Sequence, residues 1–327
     1  SSAEGSFTKG ASTVQLVGSG QIISGATSFY NLEKILTDHS VNRHGDAMTN
    51  PSMTIGSDGL PIASYYRLGN IKIIHCGDMT CSTGNVITTI ESANTYTGQS
   101  SIAIAPDGLP VVSYYYNGPS SEREIRMVKC GNITCSSGNT ISALDGLATG
   151  NTIGKWNAIA IGQDGLPIIA YSNTITDMRV VHCGNATCSS ENTISTVNSV
   201  EAQNIDMSIG VDGYPVISYF DENNDDLRFV HCSNTKCSAA TDSLLDNSTG
   251  TIGQYSSVVM GTDGLPVISY HDEANGNLKV IKCGNEQCTS GNTTTTVDNA
   301  GVVGDYTTIA IGTDGLPVIS YNNITNS

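Results

Sequence analysis

The tetrad Asp-Gly-Leu-Pro begins at Asp58, Asp107, Asp164, Asp263 and Asp314, and a sixth copy, Asp212-Gly213-Tyr214-Pro215, fills the remaining gap. The spacings are 49, 57, 48, 51 and 51 residues. A period of this size marks a chain assembled from one supersecondary unit that stacks on its neighbours, because a single copy cannot bury its apolar faces alone. A short apolar run precedes the tetrad, as in Ser101-Ile102-Ala103-Ile104, and another follows it, as in Val267-Ile268-Ser269-Tyr270. Asp-Gly between two such runs predicts a hairpin, since glycine accepts the positive φ of a tight turn. The first and second strands of every unit therefore pair.

A variable polar loop follows, then a third strand at 71–75, 125–129, 178–182, 227–231 and 278–282, each running into a cysteine. Cys-x4-Cys comes next, then a Thr-rich fourth strand such as Thr193-Ile194-Ser195-Thr196-Val197. Four antiparallel strands at this period predict an all-β, six-bladed β-propeller. After Asp314 only two strands remain, whereas residues 1–43 carry two strand-like runs, 13–17 and 29–36, and no tetrad. The expectation is one domain over 1–327, with blades at 44–92, 93–148, 149–199, 200–249, 250–300 and 301–327. The last is closed by N- and C-terminal strands through residues 1–43, which removes free sheet edges.

The cysteines fall in pairs, Cys76/Cys81, Cys130/Cys135, Cys183/Cys188, Cys232/Cys237 and Cys283/Cys288, one pair in five of the blades. His75, His182 and His231 precede a cysteine and raise the question of zinc. Zinc needs about four converging ligands, each blade offers two cysteines, and neighbouring strand residues point to opposite faces. Lys129 and Lys282 replace the histidine in two blades. Even number and fixed spacing favour five local disulfides, set in loops on one face of the ring.

That reading fits a net charge of −16 with only 14 Lys plus Arg, which argues against nucleic-acid partners. No run approaches the ~20 apolar residues of a spanning helix, and Ser1-Ser2-Ala3-Glu4-Gly5 has no signal-peptide character, so the chain reads as already processed. The expected setting is extracellular or at the cell surface. Asn132, Asn185, Asn247, Asn292 and Asn323 match the N-glycosylation pattern.

Alternating strands put the Asp-Gly turns and cysteine loops on one face and the variable connections on the other. The variable face carries Gln99, Lys155, Trp156, Gln203, Gln254, Tyr255, Asp305 and Tyr306 at the start of the innermost strands, near the central channel. These are the ligand-binding candidates. Asp221, Asn223 and Asp225 alternate as oxygen ligands for calcium would, although the EF-hand glycine and terminal glutamate are absent. The tyrosines closing each second strand (Tyr65, Tyr114, Tyr171, Tyr219, Tyr270, Tyr321) recur in all six units and read as core.

The unit Gly261-Thr262-Asp263-Gly264-Leu265-Pro266-Val267-Ile268-Ser269-Tyr270, with Cys283-Gly284-Asn285-Glu286-Gln287-Cys288, resembles the repeats of uncharacterised secreted β-propeller proteins and, more distantly, sialidase-like propellers. The latter resemblance implies an Asp-box, three arginines and a Tyr/Glu pair; here Leu-Pro stands where the box leads to its aromatic. No other catalytic motif appears. The expectation is a non-catalytic module for adhesion, for binding a glycan or extracellular protein, or as a subunit of a surface assembly. The alternative is a glycan-active, sialidase-like hydrolase using Asp221, Glu222, Asp272 or Glu273. The two differ in symmetry: a catalyst needs unique residues in one place, a multivalent binder equivalent ones in several blades.

Overall fold

The computed structural model describes residues 49–92, 98–118, 123–146, 153–173 and 176–326. The first sheet is β1–β4 (Thr49–Ile55, Pro61–Arg67, Asn70–His75, Val86–Ser92) and the second β5–β8 (Ser100–Ile104, Pro110–Asn117, Arg123–Lys129, Thr140–Asp145). The third is β9–β12 (Ile153–Ile161, Pro167–Asn173, Asp177–His182, Thr193–Asn198) and the fourth β13–β16 (Ala202–Ile209, Pro215–Asp221, Asp226–Cys232, Ala240–Asp246). The fifth is β17–β20 (Ile252–Met260, Pro266–Asp272, Asn277–Lys282, Thr293–Asp298), and β21–β22 (Val303–Ile311, Pro317–Asn323) form a two-stranded sheet. Each four-stranded sheet is ordered by sequence, with its strands antiparallel. The first strands β1, β5, β9, β13, β17 and β21 touch in succession, which is the architecture of a β-propeller. The runs at 13–17 and 29–36, and with them the predicted closure, lie outside the described residues. No described helix is long and apolar enough to cross a membrane.

The Asp-Gly turn forms as predicted. In the first blade Gly56 N–H donates to Leu60 O at 2.8 Å, Asp58 Oδ1 accepts from Leu60 N–H at 3.1 Å, and Gly59 takes φ 81°. The proline then starts the second strand, where a missing N–H is tolerated.

Second strands are buried on both faces: β10, β14 and β18 are buried along their whole length, while β20 is almost entirely exposed. Such a strand packs on both neighbouring blades, so the core is a series of inter-blade layers. The layer between the third and fourth blades, for instance, joins Ile168, Met178 and Val180 to Met207, Ile217 and Val230. Fourth strands lie outermost, where Thr-rich edges face water.

Three polar devices lock the junctions. Four closing tyrosines donate to the preceding blade's fourth strand: Tyr114 Oη to Glu91 at 2.7 Å, Tyr171 to Asp145 at 2.8 Å, Tyr270 to Asp246 at 2.6 Å and Tyr321 to Asp298 at 2.7 Å, while Tyr219 Oη accepts from Asn198 there at 2.8 Å. Arg126, Arg179 and Lys279 pair with the same acids. Inside, Ser64 bonds Ser100 at 3.0 Å, Ser113 donates to Asn157 at 2.6 Å, Ser256 to Ser218 at 3.0 Å and Thr307 to Ser269 at 2.9 Å. At the third junction the equivalent residues are Ala170 and Ile205, both in one apolar cluster. Finally, a first-strand side chain accepts from a backbone N–H of the next blade: Ser52 from Ile102, Ser101 from Ile159, Asp206 from Val258 and Ser257 from Ile309.

All ten cysteines form the five predicted Cys-x4-Cys disulfides, Cys76–Cys81, Cys130–Cys135, Cys183–Cys188, Cys232–Cys237 and Cys283–Cys288. Their sulfurs sit deeper than the loops that carry them. Cys135, Cys188, Cys237 and Cys288 are fully buried and join the apolar clusters between blades, whereas Cys81 is partly exposed. The staples are thus part of the core, because the sulfurs turn inward while the polar residues between them face water. The inward turn has a backbone signature: Cys81, Cys135, Cys188, Cys237 and Cys288 all lie in the left-handed region, with φ of 52°, 52°, 54°, 51° and 53°. The loops also carry internal caps. Gly131, Gly184 and Gly284 N–H donate to Asn139, Asn192 and Asn292 Oδ1, each at 3.1 Å.

Candidate functional site

The first strands do not begin regularly. The pairing of β1 with β2 shifts register between Thr49 and Ser52, and the same slip occurs at Gln203/Asp206, Gln254/Ser257 and Asp305/Thr308. Inside each slip one residue takes a left-handed backbone: Asn50 (φ 48°), Asn204 (49°), Tyr255 (52°) and Tyr306 (51°). Asparagine adopts this conformation readily, whereas for tyrosine it costs roughly 1–3 kcal/mol and needs support from its surroundings. Bulges of this kind re-aim side chains at rims and beside active sites.

Counted back from the tetrad, the two rim residues are Thr49-Asn50, Gly98-Gln99, Lys155-Trp156, Gln203-Asn204, Gln254-Tyr255 and Asp305-Tyr306. No two blades share a pair. All eight nominated binding residues lie here, and several make contact. Gln99 N–H donates to Lys155 O at 2.8 Å, and Lys155 Nζ lies 5.5 Å from the Trp156 ring centre. Tyr255 and Tyr306 pack with ring centres 4.3 Å apart. Burial, the hydrogen bond with Tyr306 and the fields of Tyr306, Asp305 and Glu273 raise the Tyr255 phenol well above its ordinary pKa.

The loops after the second strands bring acids to the same rim. Glu222 N–H donates to Glu201 O at 3.0 Å, and Asn223 Oδ1 accepts from Glu201 N–H at 2.8 Å. Partial desolvation, followed by the charges of Glu201 and Asp225, raises the Glu222 carboxyl; Lys155 opposes the rise and Glu273 adds to it. Glu222 and Glu273 are exposed, whereas Asp221 and Asp272 are fully buried. Asp221 accepts from Asn223 N–H and Asn224 Nδ2, and Asp272 from Asn275 and Lys279 Nζ, so both hold their turns. Two of the three oxygen residues nominated for calcium, Asp221 and Asn223, thus accept hydrogen bonds within this turn and from Glu201.

Sequence reasoning missed three members of the rim. Asn204 shares the strained backbone position of Tyr255 and was detectable by counting from the tetrad. Glu201 reaches the rim through Asn223. His271 is fully buried, with Nδ1 3.0 Å from Asp305 Oδ1, although its position suggests a loop. Of the glycosylation candidates, Asn132 Nδ2 donates to Ser136 and Ser137 Oγ, Asn185 Nδ2 to Ser190 Oγ, and Asn292 Nδ2 to Cys288 O.

No protein-family profile and no curated protein matches the sequence. Solved structures do share the fold. The α-L-arabinofuranosidase of Fusarium graminearum, bound to an iminosugar inhibitor, has a TM-score of 0.55 at 10% identity, over 85% of this chain and 94% of that one. The same fungus's GH93 enzyme with arabinobiose has 0.53 at 10% identity, over 85% and 94%. The NanB sialidase of Streptococcus pneumoniae has 0.59 at 11% identity, over 85% of this chain and 66% of that one. The likeness to sialidase-like propellers thus holds for the fold.

It also corrects the expectation of a non-catalytic adhesion, binding or structural module, because these fold neighbours are glycoside hydrolases. That expectation rested on uniform repeats, and the uniformity belongs to the turns, cysteine loops and junctions. The rim, where loops carry function on such scaffolds, differs from blade to blade.

Proposed function

We propose that the chain is a glycan-active hydrolase working at the rim formed by Lys155, Trp156, Gln203, Gln254, Tyr255, Asp305 and Tyr306, with Gln99 beside them. The observation that carries this reading is that the rim, different in every blade, gathers Glu201, Glu222, Asp225 and Glu273 with Lys155, Trp156 and the Tyr255–Tyr306 pair; the neighbouring acids and partial desolvation raise the Glu222 carboxyl. Glycoside hydrolysis needs one carboxyl that stays protonated to donate to the leaving oxygen and a second, ionised one to activate water or attack the sugar. Glu222 is assigned the acid role and Glu273 the second. Trp156 and the Tyr255–Tyr306 pair supply flat apolar surfaces for a sugar ring. An acidic rim with Lys155 as its cation suits a neutral glycoside better than a sialoside, whose carboxylate it would repel.

Trp156 is the only tryptophan, so its fluorescence reports on this rim. Titration with arabino-oligosaccharides and with sialyllactose, paired with product analysis, tests the reading. Hydrolysis of neutral glycosides that is lost in Glu222→Gln is expected; a folded protein inert toward a broad panel of neutral and acidic glycans would overturn it.

The same proposal places the chain outside the reducing cytosol, supported by its five disulfides. It also takes the ring as six-bladed, with residues 1–43 completing the sheet begun by β21 and β22. In support, Met53 on β1 is 59% exposed and Val318 on β22 52%, whereas Ile102, Ile159, Met207, Val258 and Ile309, which occupy the place of Met53 in the other blades, are 5–8% exposed.

A further inference from the structure

On the opposite face, the Asp of five Asp-Gly turns faces the residue before the first cysteine of its own blade. His75 lies 2.9 Å from Asp58, Lys129 2.8 Å from Asp107, His182 2.7 Å from Asp164, His231 3.2 Å from Asp212 and Lys282 2.6 Å from Asp263. Four of these are ordinary structural pairs. The fourth-blade pair differs, because a third group joins it: Asp212, His231 and Glu286 bring one ligand atom each to within 4.8 Å of one another. Glu286 comes from the cysteine loop of the fifth blade, which leans on the fourth through Ser243 Oγ donating to Gln287 O at 2.8 Å.

We propose that Asp212, His231 and Glu286 bind a divalent transition-metal ion of the zinc class, clamping the fourth and fifth blades together. The donors are a neutral imidazole and two carboxylates, a set that suits zinc, cobalt or nickel; an imidazole is foreign to the all-oxygen sites of calcium and magnesium. His231 is only 6% exposed, so its ring is fixed by packing. At 3.2 Å its Nε2 stands farther from Asp212 than the 2.7 Å hydrogen bond that His182 makes to Asp164. Ligands bound at ~2.0–2.2 Å in a tetrahedron stand about 3.4 Å apart, close to the Asp212–His231 spacing. Glu286 is partly exposed, which leaves its side chain room to turn onto the ion. Two carboxylates beside one imidazole leave a charge deficit that a divalent cation neutralises, and the fourth position stays open to water.

The repeat supplies its own controls. Lys129 and Lys282 cannot ligate, because an ammonium has no lone pair. The other histidine pairs meet Ile133 and Thr235 at the position equivalent to Glu286. No motif in the sequence links the three ligands, since they come from separate segments of two blades.

The test is calorimetric titration of the intact, untagged protein with Zn2+, backed by Co2+ absorption spectra. One ion per chain is expected, with at least tenfold weaker binding in Glu286→Gln, a surface change that leaves the fold intact. Thr235→Glu should create a second site with His182 and Asp164. Absence of stoichiometric binding, or binding unchanged by Glu286→Gln, overturns the assignment. Because the site lies on the face opposite Glu222, its failure leaves the hydrolase reading standing.

Discussion

Asp206 does the work of an acceptor that Ala158 lacks. At three other junctions a serine on one first strand accepts the N–H of the next, Ser52 from Ile102, Ser101 from Ile159 and Ser257 from Ile309. Ala158 occupies that place before Met207, and Met207 N–H turns to Asp206 Oδ1 at 2.9 Å, while Asp206 Oδ2 accepts from Val258 N–H at 2.8 Å. Asp206→Ser would keep the second bond and orphan the buried Met207 N–H, at about 1–3 kcal/mol. The double change Ala158→Ser with Asp206→Ser should recover most of that loss in urea denaturation. Equal stability of the two variants would refute the compensation.

Desolvation holds the Asp206 carboxyl above its ordinary pKa, outweighing its three hydrogen bonds. A raised folded-state pKa means the protonated form is favoured on folding. This contribution is complete below the ordinary carboxylate range and fades as pH rises through the raised value. Stability measured from pH 4 to 8 should therefore fall less with rising pH in Asp206→Ser than in the native protein.

Asn198 stands where Glu91, Asp145, Asp246 and Asp298 stand in the other blades. It donates to Tyr219 Oη at 2.8 Å and to Asp242 Oδ2 at 3.1 Å. Restoring the majority residue with Asn198→Asp would set a carboxylate against Asp242. A loss of about 1 kcal/mol at neutral pH is expected, relieved as the solution is acidified into the carboxylate range. Gain of stability at pH 7 in thermal melts would contradict this.

A catalytic Glu222 with a raised carboxyl must be protonated to act, so kcat should decline as pH rises through its pKa. Glu222→Gln should abolish turnover while leaving the Trp156 fluorescence response to bound glycan in place. Loss of binding with retained turnover would be the opposite result.

Removing one staple, Cys183→Ala with Cys188→Ala, should cost about 2 kcal/mol on the chain-entropy estimate. Cys188 also sits in the left-handed region (φ 54°), so alanine there inherits an unfavourable backbone. Denaturation midpoints check this, and deletion of residues 1–43 tests ring closure by the same method. If those residues complete the last blade, the shortened chain should lose stability and self-associate through exposed strand edges.

The scaffold could be read from the sequence because every signal in it is local. Asp58-Gly59 sets its own turn, Cys76 and Cys81 are five residues apart, and Tyr171 repeats at one register. That Cys135 and Cys237 would sink into the layers between blades was not legible, since spacing fixes a partner and not the side of the loop on which the bond lies. The rim was legible as a position, because Trp156 and Tyr255 keep a fixed offset from the tetrad. Its chemistry was not. A bulge decides where Tyr255 points, and Asp221 and Glu222, adjacent in sequence, divide into a buried cap and an exposed acid according to which face of the turn each occupies. Likewise the bond from Glu201 N–H to Asn223 Oδ1 links two segments that lie 22 residues apart in the sequence. Glu286 meets His231 only through the stacking of blades, which carries no sequence signature.

The apolar seam at Ala170 and Ile205 has a consequence for how such a gene can change. Repeats this similar invite unequal recombination, which adds or removes whole units. Excising the fourth unit would bring Ala170 against Ser256, whose buried hydroxyl would lose Ser218 and meet a methyl group, at about 1–3 kcal/mol. The odd seam thus works as an address: it sets a stability cost against loss of the fourth unit.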